Sequence, residues 1–239
     1  MLVKVSDIHP NKFRDMDKYP INETKVAALV ESIQTTDFWD NVLARPLNNQ
    51  VDGVDDADLV EHLKGLSEAD FPVELAYGHH RLEAIKRCGI DEINIPVKQI
   101  DDEIMLKIMA NENKGDWASN MSVILETVRQ VRENLKASVD QFDTFEDYVE
   151  AGYSFFNDSK AFAAAKKDIG FRKIRQFLGE TWAENDIRAA STVLSAIDEG
   201  MYPQEYVIGM PSIGAMNRYH TLCQRIAEQS GWPQGLKDR

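Results

Sequence analysis

A run of apolar and β-forming residues, Val73-Glu-Leu-Ala-Tyr77, passes without a linker into Gly78-His-His-Arg81, and a helical pattern follows at once. A strand that turns through glycine into a helix leaves the first backbone N–H groups of that helix unpaired, at the end where the dipole favours an anion. Gly78 has no Cβ, so a ligand can come close to the backbone. Arg81 can grip a phosphate through two parallel hydrogen bonds, with His79 and His80 as further donors. The chemistry that suits this turn is phosphate binding, and it requires open, bare amides. The glycine-rich P-loop pattern is missing, which sets aside a Walker-type ATPase. A plain solvent-exposed helix start would carry the same tetrapeptide. Two neighbouring histidines make a poor metal site, because adjacent positions point apart and no acidic third ligand is placed.

Around this unit the pattern mixes helix and strand. Val3 and Val5 alternate with polar residues as a short first strand. Asn22 can cap a helix that carries Val26, Leu29, Val30 and Ile33 on one face. Residues 41–47 read as a second strand ending near Pro46. Residues 49–70 hold Asp52, Asp55, Asp56, Asp58, Glu61, Glu68 and Asp70, a solvated insertion with one short helix. Beyond the glycine turn, Leu82, Ile85 and Cys88 share a helix face and Gly89 supplies the stop. Ile93, Ile95 and Val97 alternate as a further strand. Asp101, Asp102 and Glu103 open another helix, with Ile104, Met105, Ile108 and Met109 on its buried side. Strand signals cease near residue 118. Ile124, Val128, Val131 and Leu135 mark an amphipathic helix, and short helices follow, Ala-rich at 161–165. The expectation is an α+β domain over 1–117 and an all-α domain over 118–239.

Four segments in order resemble the N-terminal domain of ParB, the partition protein of chromosomes, plasmids and phages. They are Ile8-His-Pro-Asn-Lys-Phe-Arg14, the helix with Leu29-Val-Glu-Ser-Ile33, the strand with Arg45-Pro46, and the turn Gly78-His-His-Arg-Leu-Glu-Ala84 against the family's Gly-Glu-Arg-Arg-x-Arg-Ala. Downstream, Glu112-Asn113-Lys-Gly-Asp116 is similar to the family's Glu-Asn-x-x-Arg. The resemblance spans roughly residues 3–135. It implies a ParB/sulfiredoxin-like fold that holds cytidine triphosphate and Mg2+. Gly78, His79, His80 and Arg81 would surround the phosphates, Glu112 and Asn113 would lie beside them with Glu112 at the metal, and Arg45 would line the pocket wall. His79 stands where the family has an acid that could orient water, and Asp116 where it has an arginine. CTP or NTP hydrolysis is therefore an open question. Asn113 ahead of Gly115 would also serve as an ordinary helix cap.

The chain carries 40 acidic against 27 basic residues, a net charge of −13, so most of its surface should repel phosphate. Nucleic-acid contact would need a local patch. Residues 160–175 supply one, with Lys160, Lys166, Lys167, Arg172, Lys173 and Arg175 against the single acid Asp168. Here a helix holding Ile174, Phe177 and Leu178 stops at Gly179, and a second helix from about Thr181 turns Trp182, Ile187 and Ala190 inward. Helix, glycine turn, helix is the helix-turn-helix pattern. On that reading Asn185 and Arg188, with Glu184, face the major groove. Lys166, Lys167, Arg172, Lys173 and Arg175 bind backbone phosphate. Phe171, Trp182, Phe155, Phe156 and Phe162 read as packing residues. Many helical hairpins share this spacing without touching DNA.

No run of eighteen apolar residues occurs and no basic-then-apolar leader opens the chain, so no membrane association and a cytoplasmic location are expected. Cys88 and Cys223 form no CxxC pair, which speaks against a disulfide framework or a zinc site. The resulting expectation is a DNA-binding protein, homodimeric, that uses a triphosphate as a switch in phage or plasmid partition or transcription control. The competing expectations are a small-molecule kinase of the free-serine-kinase type, which resembles the same fold and carries a comparable turn, and a degenerate relative that needs no nucleotide.

Overall fold

The computed structural model describes residues 1–17, 21–36, 42–47, 72–113, 121–179 and 182–230. The acidic insertion expected at 49–70, and Asp116 and Thr181, lie outside them. The chain divides into two compact units, Met1–Glu112 and Asn113–Arg239.

The first unit is α+β. Strand β1 (Leu2–Lys4) pairs antiparallel with β5 (Glu92–Asn94), and β2 (Ile8–His9), β4 (Val73–Tyr77) and β3 (Leu43–Pro46) form a second sheet. In that sheet β4 lies at the centre, parallel to β2 and antiparallel to β3. A central strand is covered on both faces, which explains why four successive residues of β4, Val73 to Ala76, are buried. Helix α1 (Glu23–Thr36) packs on α2 (His79–Arg87), with Val26, Ile33, Leu82 and Ile85 in one core cluster together with the sheet. Asn22 caps α1 as its sequence suggests, its Oδ1 accepting from the Lys25 amide at 3.0 Å. Gly89, at φ 69°, ends α2.

Three expectations shift in detail. Val5 is buried in a single 3-10 turn after β1 rather than in the strand. Ile95 and Val97 fall outside β5, although Val97 bridges to Ala44. In α3 (Asp102–Asn113) Met105 and Met109 are buried, whereas Ile104 is 46% exposed. Its helix is capped by Asp101, whose Oδ1 accepts from the Ile104 amide at 2.7 Å.

The regular elements among the described residues of the second unit are all helices: α4 (Met121–Asp140), α5 (Phe145–Glu150), α6 (Ser159–Lys167), α7 (Phe171–Leu178), α8 (Glu184–Asp198), α9 (Glu205–Ile208) and α10 (Ile213–Ser230). Helix α4 is the spine, with Ile124, Val128, Val131 and Leu135 buried and α6, α7 and α8 packed against it. Phe142, Tyr148, Phe156 and Phe162 form an aromatic cluster around Tyr148, with ring centroids 5.3–6.1 Å from it. Such contacts favour packing beyond their buried area, by about 0.5–1.5 kcal/mol a pair. Trp182 is buried as expected but lies in the link before α8, not within that helix.

Candidate functional site

Strand β4 ends at the N-terminus of α2, and Gly78 makes the junction at φ 103° and ψ 23°, a left-handed conformation that suits glycine. The first amides of α2 therefore lie at the C-terminal end of the sheet's central strand, as the sequence suggests. The Gly78 amide, however, is not bare. It donates to Glu112 Oε1 at 3.1 Å, so the carboxylate of α3 sits at the positive end of α2.

His79 is buried beside it, 4% exposed. Its Nε2 accepts from the Asn11 amide at 3.1 Å, which fixes the neutral ring's proton on Nδ1. That nitrogen lies 3.8 Å from Glu112 Oε2. Burial lowers the His79 pKa most, the Arg14 charge acts in the same sense, and Glu112 opposes both. For Glu112, burial pushes the carboxyl up, but the adjacent His79 ring, the Gly78 amide and the Arg14 guanidinium outweigh it and bring it below the ordinary value. A charged carboxylate at this turn is the consequence.

His80 points elsewhere. Its Nε2 accepts from the Asn22 amide at 3.1 Å and ties the turn to the start of α1. Arg81 is half-buried on a cleft of about 440 Å³, whose other walls include Tyr77, Ile104, Lys107, Asn111 and Glu112. The exposed Ile104 is thereby accounted for. Asn113 is the last residue of α3.

Arg45 is deeply buried and its guanidinium is committed. Nε and Nη2 donate to Glu74 Oε2 at 2.9 and 2.7 Å, Nη1 donates to the Ile100 carbonyl at 2.9 Å, and Nη2 lies 2.8 Å from Asp102 Oδ1. Lys12 joins from the other side through Asp102 Oδ2 at 2.6 Å. Burial raises the Asp102 pKa, yet Lys12 and Arg45 hold it below the usual carboxylate value.

Two site residues escaped the sequence reading. Asn11 orients His79, and Arg14, 5% exposed, acts electrostatically on both His79 and Glu112. Both stand in the opening motif, but nothing local in the sequence says that the loop after β2 folds under the Gly78 turn.

In the second unit the expected DNA-facing residues gather in part. The guanidinium carbons of Arg172 and Arg188 each lie 5.8 Å from the Phe171 ring centre, which brings the starts of α7 and α8 together. Phe171 is thus a half-buried platform for two cations rather than a core residue. Arg188 also donates to Asn185. Lys173 lies over the Phe155 and Phe156 rings, at 5.5 and 5.6 Å. Arg175 is turned toward the link, its Nε donating to the Trp182 carbonyl at 3.0 Å. Lys166, over the Phe162 ring, and Lys167 stand at the end of α6.

An α+β unit built around a strand–glycine–helix turn and followed by helices defines the class. Residues 1–114 match the family model of the ParB N-terminal domain, and the front of the chain is such a domain. No curated protein matches the chain. Among solved structures it is similar to the C-terminally truncated chromosome-partitioning protein ParB from Caulobacter crescentus complexed to the centromeric parS site, at 14% identity and a TM-score of 0.43, covering 96% of this chain and 92% of that one. The same protein complexed with CTP-γ-S aligns at 17% identity and a TM-score of 0.34, covering 96% and 97%. A Pnob8-like ParB-N domain aligns at 14% identity and a TM-score of 0.48, covering 100% of this chain and 84% of that one.

The residues at the turn fit a divalent cation carried by a phosphate ligand. Glu112 Oε2 accepts no hydrogen bond, and Mg2+ is commonly held by one or two carboxylates together with substrate phosphates. No group of three His, Cys, Asp or Glu side chains among the described residues would hold a metal alone. Glu112 would hold such an ion, whose charge would offset that of the phosphates. Among the same residues no helix is long and apolar enough to cross a membrane.

Proposed function

We propose that this chain is a ParB-type DNA-binding protein that uses a nucleoside triphosphate, CTP in the first instance, with Mg2+ as a switch. Residues 1–117 form its nucleotide-binding domain and residues 118–239 its DNA-binding domain. The observation that carries the reading is a carboxylate already seated on the Gly78 amide, beside a cleft with Arg81 on its wall. A turn that accepts one anion in this position offers the amides a phosphate needs. Arg81 grips the phosphates, Tyr77 and Ile104 supply apolar wall, and Glu112 shares the metal. His79, His80 and Arg45 support the site from behind, through Glu112, Asn22 and Asp102.

For DNA, the link lengths favour a pairing other than the one the sequence suggests. Helices α6 and α7 are joined by residues 168–170, the three-residue, glycine-containing link of a helix-turn-helix, whereas five residues, 179–183, separate α7 from α8. On this reading α7 enters the major groove with Arg172, Lys173 and Gln176. Lys166, Lys167 and Arg175 contact phosphate, and Asn185 and Arg188 flank the groove from α8. The protein acts as a homodimer, in partition or transcription control of a phage or plasmid. A small-molecule kinase would have no use for this basic face.

Calorimetry with CTP, ATP and ADP, each with Mg2+ and with or without a pool of DNA fragments, tests the proposal. The expected result is triphosphate binding that Arg81→Ala lowers at least about tenfold while the melting profile is kept. Equal affinity in the variant removes the pocket assignment.

A further inference from the structure

Phe171 opens α7 and carries over its half-buried ring one arginine from each of two helices, Arg172 of α7 and Arg188 of α8. Both side chains are exposed. Arg188 donates through Nη2 to Asn185, and neither guanidinium has a carboxylate partner among the described residues. Arg175, one turn further along α7, is used differently: its Nε is given to the Trp182 carbonyl and its Nη1 lies 4.0 Å from Glu184 Oε2. Two like charges brought to one ring repel each other, and the negative face of the ring offsets that repulsion. A guanidinium over a ring is held by its charge and its flat face. Its N–H donors stay available to a phosphate or a base edge.

We propose that Phe171 is a positioning residue of the DNA face, whose ring holds Arg172 and Arg188 as one pair so that α7 and α8 engage a duplex in a set register. This inference rests on the proposed DNA-binding role of the helical unit and assigns the residue that organises its arginines. Ordering a long side chain at an interface weakens binding by roughly twofold to tenfold for each chain immobilised. The ring carries part of that ordering before DNA arrives. It also ties an arginine of the groove helix to one on its flank, and so links contacts that read bases to contacts that fix position.

The test is fluorescence anisotropy of a labelled random-sequence duplex pool, titrated with the whole chain at several salt concentrations. The proteins are the wild type, Phe171→Leu, Phe171→Trp, Arg172→Ala with Arg188→Ala, and that pair combined with Phe171→Leu. Phe171→Leu is expected to weaken binding about fivefold or more while leaving the slope of log K against log salt unchanged, because both charges remain. Phe171→Trp is expected to bind at least as well as the wild type, indole being the better ring for a cation. In the background without the two arginines, Phe171→Leu is expected to change nothing further. An equal loss in both backgrounds, or a lowered salt slope in Phe171→Leu, means that the ring acts through packing alone and overturns the proposal. Wild-type affinity in Phe171→Leu, or in the arginine pair variant, overturns it too and leaves DNA binding to other residues. Should Phe171→Leu melt below the assay temperature, Phe171→Trp decides, and binding weaker than wild type overturns the proposal. Absence of binding by the wild type at low salt overturns the DNA reading itself, a result distinct from all of these.

Discussion

Two arginines near the Gly78 turn are expected to behave differently because their surroundings differ. Arg45 is enclosed by Glu74, Asp102 and the Ile100 carbonyl, so its removal strands a buried carboxylate. Arg45→Ala should lower unfolding stability by about 3–5 kcal/mol, read by urea denaturation. Arg81 is half-buried on a cleft wall, and Arg81→Ala should stay within about 0.5 kcal/mol of wild type while nucleotide affinity falls. The reverse assignment, a stable Arg45→Ala protein that fails to bind, would place Arg45 in the pocket after all. His220 is a further residue with a legible pH effect. It is buried, its Nδ1 is 2.9 Å from the Tyr202 hydroxyl, and burial lowers its pKa below the ordinary 6.5 despite the opposing charge of Glu199. The unfolded chain then binds the proton more readily than the folded one, so stability falls as pH drops through 6.5. Thermal melts between pH 7.5 and 5.5 should show this decline, and a smaller one in His220→Gln; parallel curves for the two proteins would contradict it.

At the scale of elements, much of the fold could be read directly because its signals are local. The strand before Gly78, the Asn22 and Asp101 caps and the α4 face all depend on residues a few positions apart. What could not be read depends on contacts made far along the chain. Ile104 follows the helical period yet faces the cleft, and Val5 follows the strand period yet ends β1 in a tight turn. The Glu112 contact with Gly78 closes over 34 residues, which no period reveals. The glycine itself was legible, and its conformation gives a test. Gly78→Ala at φ 103° should cost about 1–2 kcal/mol in stability. A neutral effect on a urea curve would argue against the left-handed turn. In the helical unit, Arg172→Glu with Lys173→Glu should weaken DNA binding and reduce the slope of log K against log salt by about 2. Asn185→Ala with Arg188→Ala should have the smaller effect if α7 is the groove helix. A gel-shift series in which only the second pair matters would return the reading to α7 and α8.

For the whole molecule, the proposed switch requires that nucleotide and DNA affect one another. Binding linkage is reciprocal: the factor by which CTP changes DNA affinity must equal the factor by which DNA changes CTP affinity, typically 5–150-fold where coupling exists. The chain's net charge of −13 repels DNA in general, so a local basic face must overcome that repulsion. The division into an α+β front and a helical rear was legible from where the strand pattern stops, whereas the coupling of nucleotide to DNA leaves no mark in either pattern. All of it depends on a triphosphate binding where β4 meets α2. The most direct measurement is a crystal structure of the protein with CTP and Mg2+. Phosphate density is expected on the amides at Gly78 and the Arg81 side chain, with the Glu112 carboxylate moved from the Gly78 amide onto the cation. Phosphate density elsewhere, with Glu112 still on Gly78, would contradict it.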